Sequence, residues 1–341
     1  MTASPASRSI DATALGAGAF NGNNRFIRLV ISGTSGHPFC KPSQPEKTIK
    51  ELNVESMIDA SETLPPAAPP LVDPAELRSW VIVEDDHLLV IDKPGWLVCH
   101  PSKNGPWSSL AGAVREEFKP DAIRLIYRLD RETSGVIILA KTEAMGRRLG
   151  KAVLGRRIGK LYVTLLDGEM EAVATVDEPL GPDPAANVTV KQRVMSGEGS
   201  QEASTIFYPL MVRNGFTLVG VELLTGRKHQ IRAHAEWLGK RVVGDKLYGP
   251  DPGLYLEFAT QGWTLRHSKM LGMTRQALHC AAIDLRTTGL DYLLRAPWPA
   301  DMARFAQRKM GLSADEAQRL IDAFVAKKLP MPAPWTAGEI G

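Results

Sequence analysis

The stretch EASTIFYPLMVRNGFTLVGVELLTG, Glu202–Gly226, decides the fold. Two runs rich in β-branched and aromatic residues flank Asn214-Gly215. That dipeptide is the strongest short hairpin signal, because a type I′ turn needs positive φ at both central positions. The stretch therefore reads as a long antiparallel pair. Around it, VTVKQRV (Val188–Val194), KLYVTLLDG (Lys160–Gly168) and ALHCAAIDLRT (Ala277–Thr287) read as further strands. Upstream, SWVIVEDDHLLVIDKPGWLVCHPS (Ser79–Ser102) gives three short apolar runs, Trp80–Val83, Leu88–Ile91 and Trp96–Cys99. Asp85-Asp86 and Pro94-Gly95 separate them, as strand, turn, strand, turn, strand.

Helical spacing interrupts the strands. Leu110, Val114 and Phe118 share one face of SSLAGAVREEFK (Ser108–Lys119), which opens on a serine cap. Thr142 caps a second helix. RKHQIRAHAEWLGK (Arg227–Lys240) reads as a third, and from Pro297 the chain turns helical again. In SADEAQRLIDAFVAKK, Ser313 and Glu316 form a capping-box pattern. The expected fold is α+β, with a mixed, mainly antiparallel sheet flanked by helices. No GxGxxG or P-loop occurs, so neither a dinucleotide nor ATP has a cradle.

Composition narrows the class. The chain has 341 residues, 44% of them hydrophobic and 23% charged, with a net charge of +3. A polyanionic partner must then be met by a local basic patch. Cys40, Cys99 and Cys280 lie far apart with no CxxC pair, which suits a reducing compartment. No apolar run approaches the roughly 20 residues of a spanning helix, and no secretory signal is visible. The expectation is a cytoplasmic monomer with no membrane contact. Residues 1–78 read as a low-complexity, disordered extension with one short strand at Arg25–Gly33. Five prolines make Thr63–Pro74 an extended linker. A catalytic domain follows over 79–301, and 302–341 forms a C-terminal helical extension.

Four segments can carry chemistry. DKPGWLVCHPS (Asp92–Ser102) reads by itself as a Pro-Gly turn. In IYRLDRETSGVIILAK (Ile126–Lys141), Asp130 lies between Arg128 and Arg131, just before the turn residues Thr133-Ser134-Gly135 and the apolar run Val136–Ala140. Such an aspartate is either a surface ion-pair partner or a reactive group presented by a loop on a rigid sheet. From Lys141 to Lys160, seven cations (Lys141, Arg147, Arg148, Lys151, Arg156, Arg157, Lys160) face only Glu143. That imbalance suits an RNA phosphate backbone better than a solvated face of paired ions. Last, LLTGRKHQIRAHAEWLGKRVVGD (Leu223–Asp245) gathers Arg227, His229, Gln230, Arg232 and His234. The two histidines lack carboxylate or thiol partners at ligand spacing, so no metal is expected.

In this order the segments resemble the RluA-type family of RNA pseudouridine synthases, from about Trp80 to Asp301. The family's KPxGxxVHP-like segment is KPGWLVCHP here, and its HRLDxxTSG is YRLDRETSG. KxY is Lys160-Leu161-Tyr162, and TGRxHQxRxH is TGRKHQIRAH. GDxxYG is GDKLYG, and LHA is LHC at Leu278–Cys280. The resemblance implies an isomerase that converts specific uridines of rRNA or tRNA to pseudouridine without a cofactor. It implies that Asp130 is the catalytic carboxylate, Tyr162 the stacking platform for the target uracil, and Arg232 the partner of Asp130. Arg128 is similar to the arginine that keeps the nucleotide's gap open, and Arg227, His229 and Gln230 line the same region. Because uracil is detached, turned and rejoined, one carboxylate suffices where hydrolytic glycosidases use two. Attack on sugar or base, or removal of a ribose proton, all remain open for it. Two departures stand out: Tyr127 occupies the family's histidine position, and no ribosomal-protein-like RNA-binding module precedes the domain. Pro250–Gln276 reads as an insertion at the site's edge. The competing reading is a non-catalytic RNA-binding relative.

Overall fold

Asn214 and Gly215 both carry positive φ, 53° and 80°, and the hairpin they close is the spine of the sheet. The computed structural model describes residues 64–65, 70–101, 103–120 and 122–329. These belong to one compact unit, residues 51–341. The Arg25–Gly33 strand and most of the proline-rich linker lie outside the described residues.

In chain order the elements begin with α1 (Pro74–Ser79), β1 (Val81–Glu84), β2 (Leu88–Lys93), α2 (Leu110–Phe118), β3 (Arg124–Leu125), β4 (Ser134–Ala140) and α3 (Glu143–Leu154). Next come β5 (Gly159–Asp167), β6 (Ala174–Asp177), β7 (Leu180–Pro182), β8 (Gln192–Val194), β9 (Ser204–Arg213) and β10 (Phe216–Leu223). Then follow α4 (Gln230–Trp237), β11 (Arg241–Val242), α5 (Leu254–Gln261), α6 (Leu265–Leu271) and β12 (Leu278–Asp284). The last are β13 (Leu293–Arg295), α7 (Ala300–Phe305) and α8 (Ala314–Lys328).

The main sheet runs β1-β2-β4-β12-β5-β10-β9-β6, with β3 on β4, β11 on β5 and β13 on β12. Among these pairs only β4–β12 is parallel, so the sheet is mixed and mainly antiparallel, as expected. Pro209 cannot donate to a ladder. It sits at a bulge against β10, beyond Phe207, where pairing with β6 stops. All seven residues of β4 are buried, which is why its sequence is an unbroken apolar run after Ser134-Gly135.

The two faces of the sheet serve different ends. On one, Ile321, Phe324 and Val325 of α8 pack on Leu161, Val163, Ala281 and Ala282. Gly220 of β10 leaves room there, since an added Cβ would lie 2.7 Å from the Phe324 ring. Side chains alternate along a strand, so Lys160 and Tyr162 of β5 project to the opposite face and line a cleft.

Several local expectations need correction. Trp96–Cys99 is no strand: Trp96 has φ 71°, and Val98 makes only an isolated bridge to Ser109. The Lys93 ammonium holds this loop by donating to the carbonyls of Pro94 and Leu97 at 2.7 and 2.8 Å. Of Val188–Val194, only Gln192–Val194 is a strand, and it pairs with β7 in a separate two-stranded sheet. The Arg227–Lys240 helix shortens to α4, because residues 224–229 form a loop. The basic stretch Lys141–Lys160 is helical in its first part, and α3 ends at Leu154. The Ser109 and Thr142 caps form, accepting from the Gly112 and Met145 amides. At α8 the Ser313 half of the capping box forms, while Glu316 accepts from Arg213 instead.

Gly135 fixes the parallel junction. Its φ is 109°, and an added Cβ would lie 2.2 Å from the Cys280 carbonyl oxygen on β12. Gly135→Ala is therefore expected to lose more than about 4 kcal/mol in urea unfolding, the extreme end for single substitutions. Gly197→Ala serves as the comparison. It has similar φ, 98°, but open space around it, so it should lose only about 1–3 kcal/mol of backbone strain.

Candidate active site

Asp130 follows β3 on the loop that leads into β4 and is one-third exposed. The turn behind it is hydrogen-bonded, with the Thr133 amide donating to the Asp130 carbonyl at 3.1 Å. The aspartate thus stands at the end of a fully buried strand, where its position is fixed by the sheet.

Arg232 comes to it from α4. Its Nη1 donates to Asp130 Oδ2 at 2.9 Å. Its Nε and Nη2 fork onto the fully buried Asp245, at 2.5 and 2.8 Å. Asp245 also accepts from the amides of Leu247 and Tyr248, at 2.9 and 3.0 Å. The Tyr248 ring lies 4.8 Å from the guanidinium carbon. The arginine is therefore clamped by one carboxylate and presented to the other. Burial favours the neutral form of Asp130, yet the Arg232 charge outweighs it and holds the carboxyl below the ordinary range. Asp245 is lowered the same way, against its own burial.

His229 precedes α4 with left-handed φ, 56°. Its Nδ1 lies 3.1 Å from the Tyr248 hydroxyl, and its Nε2 is 3.9 Å from Asp130 Oδ2. Burial and the Arg232 cation push its pKa down to about 4, so the ring is neutral at pH 7. Tyr162, only 5% exposed, lies at the bottom of the cleft beside Cys280 of β12. Burial drives its hydroxyl pKa well up, which keeps the phenol neutral. Tyr127, at the family's histidine position, donates to the Val136 carbonyl at 2.7 Å. Lys160 Nζ stands 5.4 Å from its ring.

The cleft has a volume of about 1160 Å³ and runs from these residues out to a basic rim. Arg128, Arg156, Arg227 and Lys228 line it, and Lys160 stands deeper inside. The other expected RNA contacts, Arg147, Arg148, Lys151 and Arg157, do not line the cleft. Arg147 pairs with Glu143 one turn away, and Arg148 donates to the Thr288 and Gly289 carbonyls. Gln230 is buried, and its amide holds the loop together. Its oxygen accepts from Thr225 and the Arg227 amide, and its nitrogen donates to Ser204 and Thr205.

Asp245, Tyr248 and Lys228 were missed as individual site residues, although the sequence printed them inside TGRKHQ and GDKLYG. A buried Arg with two carboxylates a hundred residues apart leaves no local signal. Among the described residues, no group of three or more His, Cys, Asp or Glu is placed to hold a metal.

The family model for RNA pseudouridylate synthase matches residues 87–237. The ribosomal large subunit pseudouridine synthase D of Nitrosomonas europaea is 31% identical over 249 residues, 70% of this chain and 67% of the relative. An uncharacterized RNA pseudouridine synthase of Bacillus subtilis, YjbO, is 32% identical over 251 residues, 72% and 78% of the two chains. This chain belongs to the RluA-type RNA pseudouridine synthases. Members of that family are isomerases acting on RNA uridine, and this chain is one of them. Human RNA pseudouridylate synthase domain containing 4 shares the fold, with a TM-score of 0.53 at 22% identity over 69% of this chain and 94% of that one.

For this pseudouridine synthase the Arg232–Asp245 pair is a structural charge as well as part of the site. Asp245→Asn keeps the shape but leaves the guanidinium short of a buried counter-charge. It should cost about 3–5 kcal/mol in chemical denaturation.

Proposed function

We propose that this chain isomerises particular uridines of ribosomal or transfer RNA to pseudouridine, with Asp130 as the reacting carboxylate. The observation that carries the reading is the contact of Arg232 Nη1 with Asp130 Oδ2, 2.9 Å, in a cleft that the buried Tyr162 also lines. A carboxylate kept ionised by a clamped arginine, next to an aromatic floor, suits attack on a nucleotide or removal of its proton. It has no evident use in a chain that only binds RNA. The large-subunit synthases among the relatives favour ribosomal RNA.

In this reading the target base leaves its stack to reach Tyr162. Arg128 stands where it can hold the vacated gap, and Arg156, Arg227 and Lys228 meet the phosphates. The glycosidic bond from ribose C1′ to uracil N1 breaks, the ring turns, and C1′ bonds to C5 instead. The proton on C5 moves to N1. No atom is gained or lost, so neither a nucleotide cofactor nor a metal enters the balance. Neutral His229 adds no second cation, which leaves Arg232 as the direct counter-charge of Asp130. Asp130, Tyr162 and Arg232 line one cleft within a single chain, so the proposed site needs no residue from a second copy. No described helix is long and apolar enough to cross a membrane, and an RNA substrate fits a cytoplasmic setting.

Asp130→Asn should lower pseudouridine formation in transcribed rRNA and tRNA by more than about 10³-fold, the scale for loss of a reacting side chain. RNA affinity should stay unchanged; carbodiimide mapping and filter binding measure the two. Modification that survives the substitution removes Asp130 from the chemistry. The pH profile gives a second test. The lowered pKa of Asp130 keeps the needed ionised form present until pH falls below the ordinary aspartate value of about 3.9. Arg232→Lys loses the fork and weakens that hold, so the acidic limb of kcat/KM should move to higher pH. For the rim, Arg156→Gln and Arg227→Gln should each reduce the salt slope of RNA affinity by about 1.

A further inference from the structure

Lys246 follows directly after Asp245, and its ammonium lies in a place unusual for a lysine. It is 3% exposed. Its Nζ donates to both carboxylate oxygens of Glu132 at 3.0 Å and to the Thr274 carbonyl at 2.7 Å. Three aromatic rings surround the same nitrogen: Trp96 at 4.7 Å, Phe258 at 4.9 Å and Trp263 at 5.5 Å. Two of these rings belong to the segment Pro250–Gln276. A cation facing ring π-clouds is attracted to them, more strongly when water is kept away.

The groups that Lys246 joins are the catalytic turn and this inserted segment. Glu132 is two residues from Asp130. Its carboxylate also accepts from the Gln276 amide at 3.1 Å, and the Gln276 side chain donates to Thr133 Oγ1 at 2.6 Å. Arg275 Nη1 donates to the Glu132 carbonyl at 3.1 Å. The turn after Asp130 is thus gripped from residues 246–276 at Glu132 and Thr133, while Lys93 donates to the Arg131 carbonyl at 3.3 Å and Arg131 Nε to the Trp96 carbonyl at 3.4 Å. On the other side of the cage, Phe258 of α5 lines the catalytic cleft together with Tyr255 and Ala259. One ring therefore faces both the path of the RNA and the ammonium that holds the turn.

We propose that Lys246 is a positioning residue, through which α5–α6 set the catalytic turn and make the placement of Asp130 respond to RNA lying against the α5 wall. The proposal rests on the pseudouridine synthase reading above. Asp245 and Lys246 then act as one dipeptide that fixes Asp130 twice, through Arg232 and through Glu132. The aromatic cage shields the second link from water. Loss of that link leaves the substrate surface in place but lets the carboxylate drift, so turnover suffers while binding persists. A misplacement of about 1 Å can cost about 10²-fold in rate.

The test compares full-length wild type with Lys246→Met, Glu132→Gln, the double variant, and the milder Trp263→Leu. In Lys246→Met, kcat on an rRNA transcript should fall by about 10- to 100-fold, with KM within about twofold. Trp263→Leu should shift kcat the same way by less. The double variant should be no slower than Lys246→Met, because both changes break one link. Hydrogen exchange supplies a readout independent of turnover. The Thr133 amide, bonded to the Asp130 carbonyl, should exchange at least about tenfold faster in Lys246→Met while amides of α8 keep their protection. RNA should slow Thr133 exchange in wild type but not in Trp263→Leu. Unchanged kcat, additive losses in the double variant, or equal loosening of Thr133 and α8 would each overturn the proposal. A wild type that forms no pseudouridine would strike the catalytic reading instead, and the exchange comparison would still decide the role of Lys246.

Discussion

The fork between Arg232 and Asp245 is the constraint on which the site depends. A guanidinium this deeply placed needs a full counter-charge; Asp245 supplies it by accepting two hydrogen bonds from Arg232, and is itself held by the Leu247 and Tyr248 amides that donate to it. With its charge already balanced, Arg232 can offer its remaining edge to Asp130 without pulling that carboxylate into the core. Asp130 stays at the cleft surface, ionised and one-third open to a substrate. Had Asp130 been the sole partner, the stability of the fold and the freedom of the reacting group would have been in direct conflict.

The same separation of duties recurs around the cleft. Gln230, His234 and Lys93 are polar, buried and hydrogen-bonded to backbone or loop groups. They hold loops in place behind the rim, where Arg156 and Arg227 meet Glu202 at the cleft mouth. The sheet contributes rigidity from behind, because α8 fills its far face and Gly220 admits the Phe324 ring. Loops gripped by buried polar side chains on a sheet backed by a helix give a reactive group little room to move.

Much of this could be read in the sequence where the signal was local. Asn214-Gly215 announced its hairpin, the Val136–Ala140 run its buried strand, and Ser109 and Thr142 their helices. The motif order brought Asp130, Tyr162 and Arg232 to one place. Failures came where tertiary partners override local pattern. Trp96–Cys99 is apolar enough for a strand, but the Lys93 ammonium and the aromatic cage around Lys246 hold it as a loop. The charge run Lys141–Lys160 read as one RNA-facing set, yet Arg147 pairs with Glu143 and Arg148 is bound to a distant turn. Gln230 lines the cleft, as the resemblance implies, but its four hydrogen bonds to loop and strand groups make it a brace, which no local pattern announces. Asp245 and Lys246 were visible as letters, but their partners at 130, 132 and 232 are set by the fold alone.

The strand order carries a consequence for how the chain is made. β12, residues 278–284, lies between β4 and β5, whose residues precede it by more than a hundred positions. Until that late segment leaves the ribosome, the central sheet is two halves whose facing edges have only the short strands β3 and β11 on them. Asp130 and Tyr162 then belong to different halves. Synthesis proceeds at about 5–20 residues per second, so the nascent chain spends several seconds with these edges open. A site that acts on RNA is thus completed only once β12 has emerged, more than a hundred residues after β5, and the exposed edges mark the interval in which a chaperone would matter most.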